Sequence, residues 1–475
     1  ANGLITVPVA VIIGNPPFLG GSKKRALLGD VCFGNLERLY GGRGPGGADL
    51  VTYWFEKARA QIAAGRLGRA GLLATQAIRG GANRDVLRRI KESGDIFFAV
   101  DDREGVLDGA AVQVSMVGFD DGSETERVLL EHYETREGPA GKRRRKVASH
   151  RHSVEGINSD LTVRGDSTTA AHLAENAGIC FQGPVVVGPF DFDPATAAGW
   201  LGTTGNPNGS PNSEVVRPVR NAADLVRRNR GWLIVDFGAM PLEQAARYEG
   251  PFDYVQRNVR PLRENNADRQ RRERWWLHGR AGTELRAALS LISRQIATPR
   301  VSKHRIYVWL PSEVVVTDAV VAFARDDDYF FGVLHSRIHE VWARAQGTQL
   351  REAESGFRYT PTTCFETFPL PWPPGKEPVD DPRVVAIGEA AKELNELRER
   401  WLNPEPVDGM ELPESELKKR TLTNLYNARP TWLENAHKRL DEAVFPAHGG
   451  DPSISKQGIL AKLLRLNGER APPAG

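Results

Sequence analysis

The segment VIIGNPPFLGG, Val11 to Gly21, places an amide, two prolines and an aromatic ring directly behind a run of β-branched residues. Proline fixes its own φ and pushes the residue before it away from helix, so this loop is stiff. In such a loop the side-chain carbonyl of Asn15 and the backbone carbonyl of Pro16 point at one place. Two acceptors can take both protons of a single exocyclic amine. Phe18 supplies a flat apolar face for a ring to stack on. Asn15, Pro16, Pro17 and Phe18 together suit a planar molecule bearing an NH2 group.

Other chemistry-bearing residues are weaker. His335 and His339 lie four apart on one helix, but no Glu stands between them as in a zincin helix. No third ligand is evident, and no metal is assigned. Cys32, Cys180 and Cys364 are few, odd in number and far apart. They argue for a reducing, cytoplasmic setting and against a disulfide framework or a Cys-rich zinc site. The Glu-x-Lys within ESELKK, Glu414 to Lys419, has no strand or partner Asp to make a nuclease.

Charge points to a polyanion. The whole chain is close to neutral at +3, yet Arg217 to Arg305 holds 19 Lys+Arg against 9 Asp+Glu, and GKRRRKV (Gly141 to Val147) is a second cluster. Positive charge gathered in this way suits a phosphate backbone. Lys23, Lys24 and Arg25 follow the Asn-Pro-Pro-Phe segment closely, and Arg300, Lys303 and Arg305 surround a strand start. These six are the candidate phosphate contacts. Trp275 and Trp276, set among arginines, are read as core with a solvated basic face around them.

Elements that would position the tetrad alternate regularly. Expected strands are VPVAVIIG, AGLLATQA (Ala70 to Ala77), DIFFAV (Asp95 to Val100) and AAVQVSMVGF (Ala110 to Phe119). ADLVTYWFEKARAQIAAG and NRDVLRRIKESG between them have helical spacing. Strand–helix–strand order implies parallel pairing by crossovers. The short link after Val100 holds no helix, so the last strand is expected antiparallel at the end of the sheet. The tetrad then sits at the carboxyl end of a buried strand, where open α/β sheets bind ligands. Beyond residue 150 glycines, prolines and asparagines punctuate short strands. Pro369 to Pro378 marks a boundary, followed by amphipathic helices. The expected domains are 1–135, 150–375 and 380–475. No run is long and apolar enough to span a bilayer.

GNPPF resembles the catalytic tetrad of amino-group DNA methyltransferases. ADLVTYWFEKA, AGLLATQAIRGGANRDVLRRI, VLDGAAVQVSMVGF, TPRVSKHRIYVWL, FARDDDYFFGVLHSRIHEVWA and RYTPTTCFETFPLPWPP resemble further blocks of one family. It is that of the type IIG/IIL fused restriction–modification enzymes and their free-standing methyltransferase relatives, and the likeness runs from Val11 to about Leu466. The resemblance implies the carboxyl-terminal half of a Rossmann-like class I methyltransferase sheet, of parallel strands plus one antiparallel. A mixed α+β target-recognition domain and a helical carboxyl-terminal region would follow. It implies S-adenosylmethionine as methyl donor, double-stranded DNA as partner, and an extruded adenine held at N6 by Asn15 and Pro16 and stacked on Phe18. Cytosine N4 presents a similar amine and stays open.

The same family carries a glycine-rich cofactor loop ahead of its tetrad. Only ten residues precede Val11, and YGGRGPGGADL (Tyr40 to Leu50) follows the tetrad and reads as a loop near the DNA. The resemblance therefore implies a cofactor-binding half, and any nuclease, on a separate or missing portion. Cofactor-binding residues are unassigned, and the chain alone is expected to methylate slowly or not at all. Two alternatives stand beside this one. A glutamine-N5 methyltransferase of release factors also uses Asn-Pro-Pro, but without so large an appendage. A non-catalytic DNA-binding specificity module would act with a partner.

Overall fold

Val9–Gly14 (β1) runs parallel to Leu67–Thr75 (β2), with Gly14 opposite Leu72. This pairing opens the first of two compact units in the computed structural model, residues 1–170 with 348–353 and residues 171–347 with 354–475. The structure describes residues 9–43, 47–107, 110–137, 144–161, 170–201, 205–349, 356–406 and 412–471.

Between β1 and β2 lie the helices Lys24–Tyr40 (α1) and Val51–Ala63 (α2). Helix α2 buries Val51, Phe55, Ala58 and Ile62, residues spaced to fall on one stripe. That stripe meets Ala70, Leu72 and Ala74, the inward face of β2, and Val86, Leu87 and Ile90 of helix Gly81–Ser93 (α3). Phe55 is fully buried, worth about 2–3 kcal/mol of transfer free energy by itself. Helix α3 stops at Gly94. A Cβ there would collide with the Asp120 carbonyl, so glycine is required where the chain turns into the next strand.

Asp95–Leu107 (β3), Ala110–Asp120 (β4), Arg127–Glu137 (β5) and Arg144–Val154 (β6) complete a sheet of order β1-β2-β4-β3-β5-β6. Strand β4 is antiparallel to both β2 and β3, and β5 is parallel to β3. Two expectations change here. The reversed strand lies inside the sheet and not at its end, because β3 runs on to Leu107 and pairs it with Ala110 in a tight hairpin. The turn forces β4 beside β3, in a slot that the crossover through α3 leaves open next to β2. The second change concerns β1, expected to be buried. It forms an edge, with Val11 46%, Ile12 39% and Ile13 82% exposed. The unexpected β5–β6 hairpin takes in part of the Gly141–Val147 basic cluster; residues 138–143 and the cluster's side chains lie outside the described residues.

The second unit holds two four-stranded sheets. One is built from Cys180–Gln182 (β7), Arg294–Pro299 (β11), Val308–Pro311 (β13) and Val320–Phe323 (β15), the other from Asp191–Phe192 (β8), Val216–Arg220 (β9), Leu233–Val235 (β10) and Val315–Val316 (β14). Val301–Ser302 (β12) pairs separately with Phe357–Arg358 (β16). Helices Asp328–His335 (α4) and Arg337–Gln346 (α5) follow β15. The expected border near residue 380 separates no compact units. Helix Pro382–Leu402 (α6) buries Ile387, Ala391 and Leu394, and a Cβ on Gly332 of α4 would come within 2.8 Å of Ile387. Among the described residues no helix is long and apolar enough to cross a membrane.

Candidate active site and nucleic-acid interface

Asn15 to Phe18 emerge from the carboxyl end of β1, where the parallel pairing with β2 stops. Pro16 is buried and anchors the loop, while Asn15 and Pro17 are exposed and Phe18 is half-buried against the edge of the core. No hydrogen bond engages the Asn15 side chain among the described residues, and its amide is open to solvent. The loop thus offers an unspent amide beside a braced proline carbonyl and an aromatic ring.

Past the tetrad the three basic candidates part company. Lys23 is exposed. Arg25 is exposed too and pairs with Asp30 at 2.6 Å. Lys24 is fully buried, and this corrects its expected place on DNA. Its Nζ donates to the Tyr53 hydroxyl at 3.1 Å and lies 4.8 Å from that ring's centroid. Burial lowers the Lys24 pKa, against the pull of Glu37 and Asp49. The Tyr53 hydroxyl passes the contact on to Glu37 at 3.3 Å, and burial and Glu37 push it up to about 12. Lys24 is an internal tie between α1 and α2.

In the second unit Arg305 is corrected in the same way. It is 6% exposed and donates to the Thr298 hydroxyl and to the carbonyls of Pro299 and Phe357. Its Nε has no partner among the described residues, but it is buried with the rest of the guanidinium and out of reach of a phosphate. Lys303 is exposed and bonded to Asn427 at 3.1 Å. Arg300 is half-buried at the start of the β12–β16 ribbon. Its pKa is lowered by burial and then by the nearby Arg358, an exposed cation. No ion pair to either guanidinium is found among the described residues. Sequence reading missed Arg358, because only the antiparallel pairing of Val301 with Arg358 brings it near Arg300.

His335 and His339 are spoken for. His335 Nε2 accepts from Arg398 at 2.8 Å and from the Tyr307 amide at 3.2 Å, and its Nδ1 faces the Phe331 carbonyl. His339 bridges the Leu334 carbonyl and the Tyr359 hydroxyl at 3.0 Å each. Burial holds both rings neutral, His335 well below the usual range and His339 at about 3. Trp275 and Trp276 pack on the core formed by Phe190, Phe237 and Val255, and the Trp276 indole donates to the Met240 carbonyl at 2.9 Å.

Residues 209–372 match the family described as MmeI, target recognition domain. DNA methyltransferase A of Bacillus subtilis (strain 168) is 27% identical over 177 residues, which are 36% of this chain and 17% of that protein. The type IIL restriction–modification enzyme MmeI, solved in complex with DNA, has a TM-score of 0.73 at 20% identity. The alignment covers 97% of this chain and 57% of that one. The chain thus spans under two thirds of either relative. The type IIG restriction endonuclease BpuSI aligns at a TM-score of only 0.28 and carries no weight. The resemblance read from the sequence stands: the chain shares the fold of a type IIL restriction–modification enzyme, is related in sequence to a DNA methyltransferase, and carries at 209–372 a segment of the MmeI target-recognition family.

Proposed function

We propose that this chain takes part in site-specific DNA methylation within a cytoplasmic restriction–modification or phage-defence system, presenting the exocyclic N6 of an extruded adenine for methyl transfer. The observation that carries the proposal is the exposed, unbonded Asn15 amide beside the buried Pro16 at the carboxyl end of β1. A flipped base costs a few kcal/mol of unstacking, and Phe18 offers a partly open ring to recover some of it. Asn15 and the Pro16 carbonyl then accept from the amine and fix its orientation, leaving its lone pair free to attack. Rigidity matters because positioning supplies most of the acceleration in such a displacement.

S-adenosylmethionine supplies the methyl group in enzymes of this kind. The tetrad addresses the base, and no step is assigned to the cofactor. Target reading falls to the segment at 209–372, with Arg300, Lys303 and Arg358 contacting phosphates. A target-recognition segment has no use in methylating a release factor, which counts against the glutamine-N5 alternative.

The test starts by selecting duplexes bound by the full chain from a random library, then placing 2-aminopurine at each adenine of the bound sequence. Extrusion raises fluorescence at one position. Asn15→Ala keeps duplex affinity within about threefold but abolishes the rise, since the amide holds the flipped base and not the duplex. Selection of no sequence, or a rise that survives Asn15→Ala, overturns the proposal. A bound sequence with no rise at any adenine favours the non-catalytic specificity module.

A further inference from the structure

Prolines 16 and 17 fix two φ angles of the tetrad loop but leave Phe18, Leu19 and Gly20 unconstrained. The far end of the loop is held by other means. The Leu19 carbonyl accepts from the Leu50 amide at 2.8 Å, and the Gly21 amide donates to Asp49 Oδ1 at 2.9 Å. The Asp49 amide in turn donates to Asn83 Oδ1 at 2.6 Å, and Asn83 Nδ2 donates to the Ala77 carbonyl at 3.2 Å. Ala77 lies two residues past the end of β2, the strand paired with β1. The relay therefore links the loop after β1 to the connection after β2 through two side chains.

Asp49 lies just ahead of α2, where an acidic side chain would ordinarily cap its own helix. It makes no such bond: α2 has no side-chain cap, and the carboxylate turns to Gly21. The two segments touch closely enough that a Cβ on Gly21 would collide with the Gly47 carbonyl. Asn83 is 8% exposed, so its two bonds form away from competing water.

We propose that Asp49 is a positioning residue, clamping the tetrad loop through Gly21 while Asn83 orients it, so that Asn15 and Pro16 keep the geometry that receives an amine. The role in amine binding rests on the function proposed above; the clamp itself does not.

Hydrogen exchange read by mass spectrometry on the full chain separates the two. Asp49→Ala speeds exchange in peptides covering 15–23 about tenfold and leaves those covering β2 unchanged. Asp49→Asn, whose Oδ1 still accepts from Gly21, restores the slow exchange, and Asn83→Ala gives a smaller acceleration of the same peptides. In the 2-aminopurine assay Asp49→Ala reduces the fluorescence rise about tenfold at saturating protein, and Asp49→Asn recovers it. Unchanged exchange at 15–23, equal acceleration of β2, or failure of Asp49→Asn to rescue would each overturn the clamp. Accelerated and rescued exchange, with no fluorescence rise even in the unaltered protein, upholds the clamp and removes the proposed function.

Discussion

Acid should unfold the second unit well before most of its carboxylates are protonated. Burial holds His339 and His437 at about 3 and His448 at about 4. In the unfolded chain a histidine takes its proton near about 6.5. These folded values are depressed, so the unfolded state binds the extra protons and stability falls as pH drops below about 6.5. At pH 5 each such histidine costs about 2 kcal/mol relative to pH 8, whether its folded value is 3 or 4. Three cost about 6 kcal/mol, and His335, held well below the usual range by burial and then by Arg398, adds to the loss. Asp441 acts in the opposite sense. Burial pushes it up to about 6, so its native form gains a proton on acidification and returns about 1 kcal/mol.

The net loss is about 5 kcal/mol between pH 8 and pH 5, comparable with the whole stability of many domains. Urea titrations at pH 8, 6.5, 5.5 and 5 measure it through tryptophan fluorescence, since every tryptophan but Trp54 lies in the second unit. His437, bonded to the Tyr426 hydroxyl at 3.0 Å, tests the cause. His437→Phe removes one titrating ring and should flatten the pH dependence by about 2 kcal/mol, whatever it does to stability at pH 8. An unfolding free energy that stays within about 1 kcal/mol from pH 8 to pH 5 would refute the reasoning.

Two further outcomes concern one buried arginine and one exposed one. Arg263 is 1% exposed, donates to the carbonyls of Val186, Val187, Trp275 and Leu277, and remains charged although burial lowers it to about 10. Arg263→Met should destabilise the second unit by about 3 kcal/mol or more in urea melts, because those carbonyls lose their donors in a dry site. Arg358→Ala should weaken duplex binding equally for all sequences and lower the salt slope by about one, as loss of one phosphate contact does; a change confined to one base position would contradict it.

Legibility in the sequence followed the range of the interactions concerned. The helical spacing of ADLVTYWFEKARAQIAAG and the strand at AGLLATQA are local patterns, and the structure forms α2 and β2 there. Strand order was not local. Nothing within DIFFAV or AAVQVSMVGF says which neighbours they take, and only the hairpin closing at Leu107 and Ala110 puts β4 between β2 and β3. The exposure of Ile13 was hidden for the same reason, since a β-branched run reads alike at an edge and in a sheet centre.

Charge was legible as composition and misleading as position. Lys23, Lys24 and Arg25 are adjacent in sequence, but the helical turn sends the middle one inward onto Tyr53 while its neighbours face water. Arg300, Lys303 and Arg305 divide in the same manner, with Arg305 spent on backbone carbonyls. A basic cluster therefore sets how much positive charge a surface can have, and the pleat or pitch beneath it decides which side chains deliver that charge. Asp49 shows the converse. It sat in plain view as a helix-start residue, yet its bond to Gly21 spans 28 positions and its backbone bond to Asn83 spans 34. A motif can announce which polar and aromatic groups a loop offers, because those are contiguous in sequence. The groups that hold the loop still come from wherever the fold brings them, and for the tetrad they come from the entrances to α2 and α3.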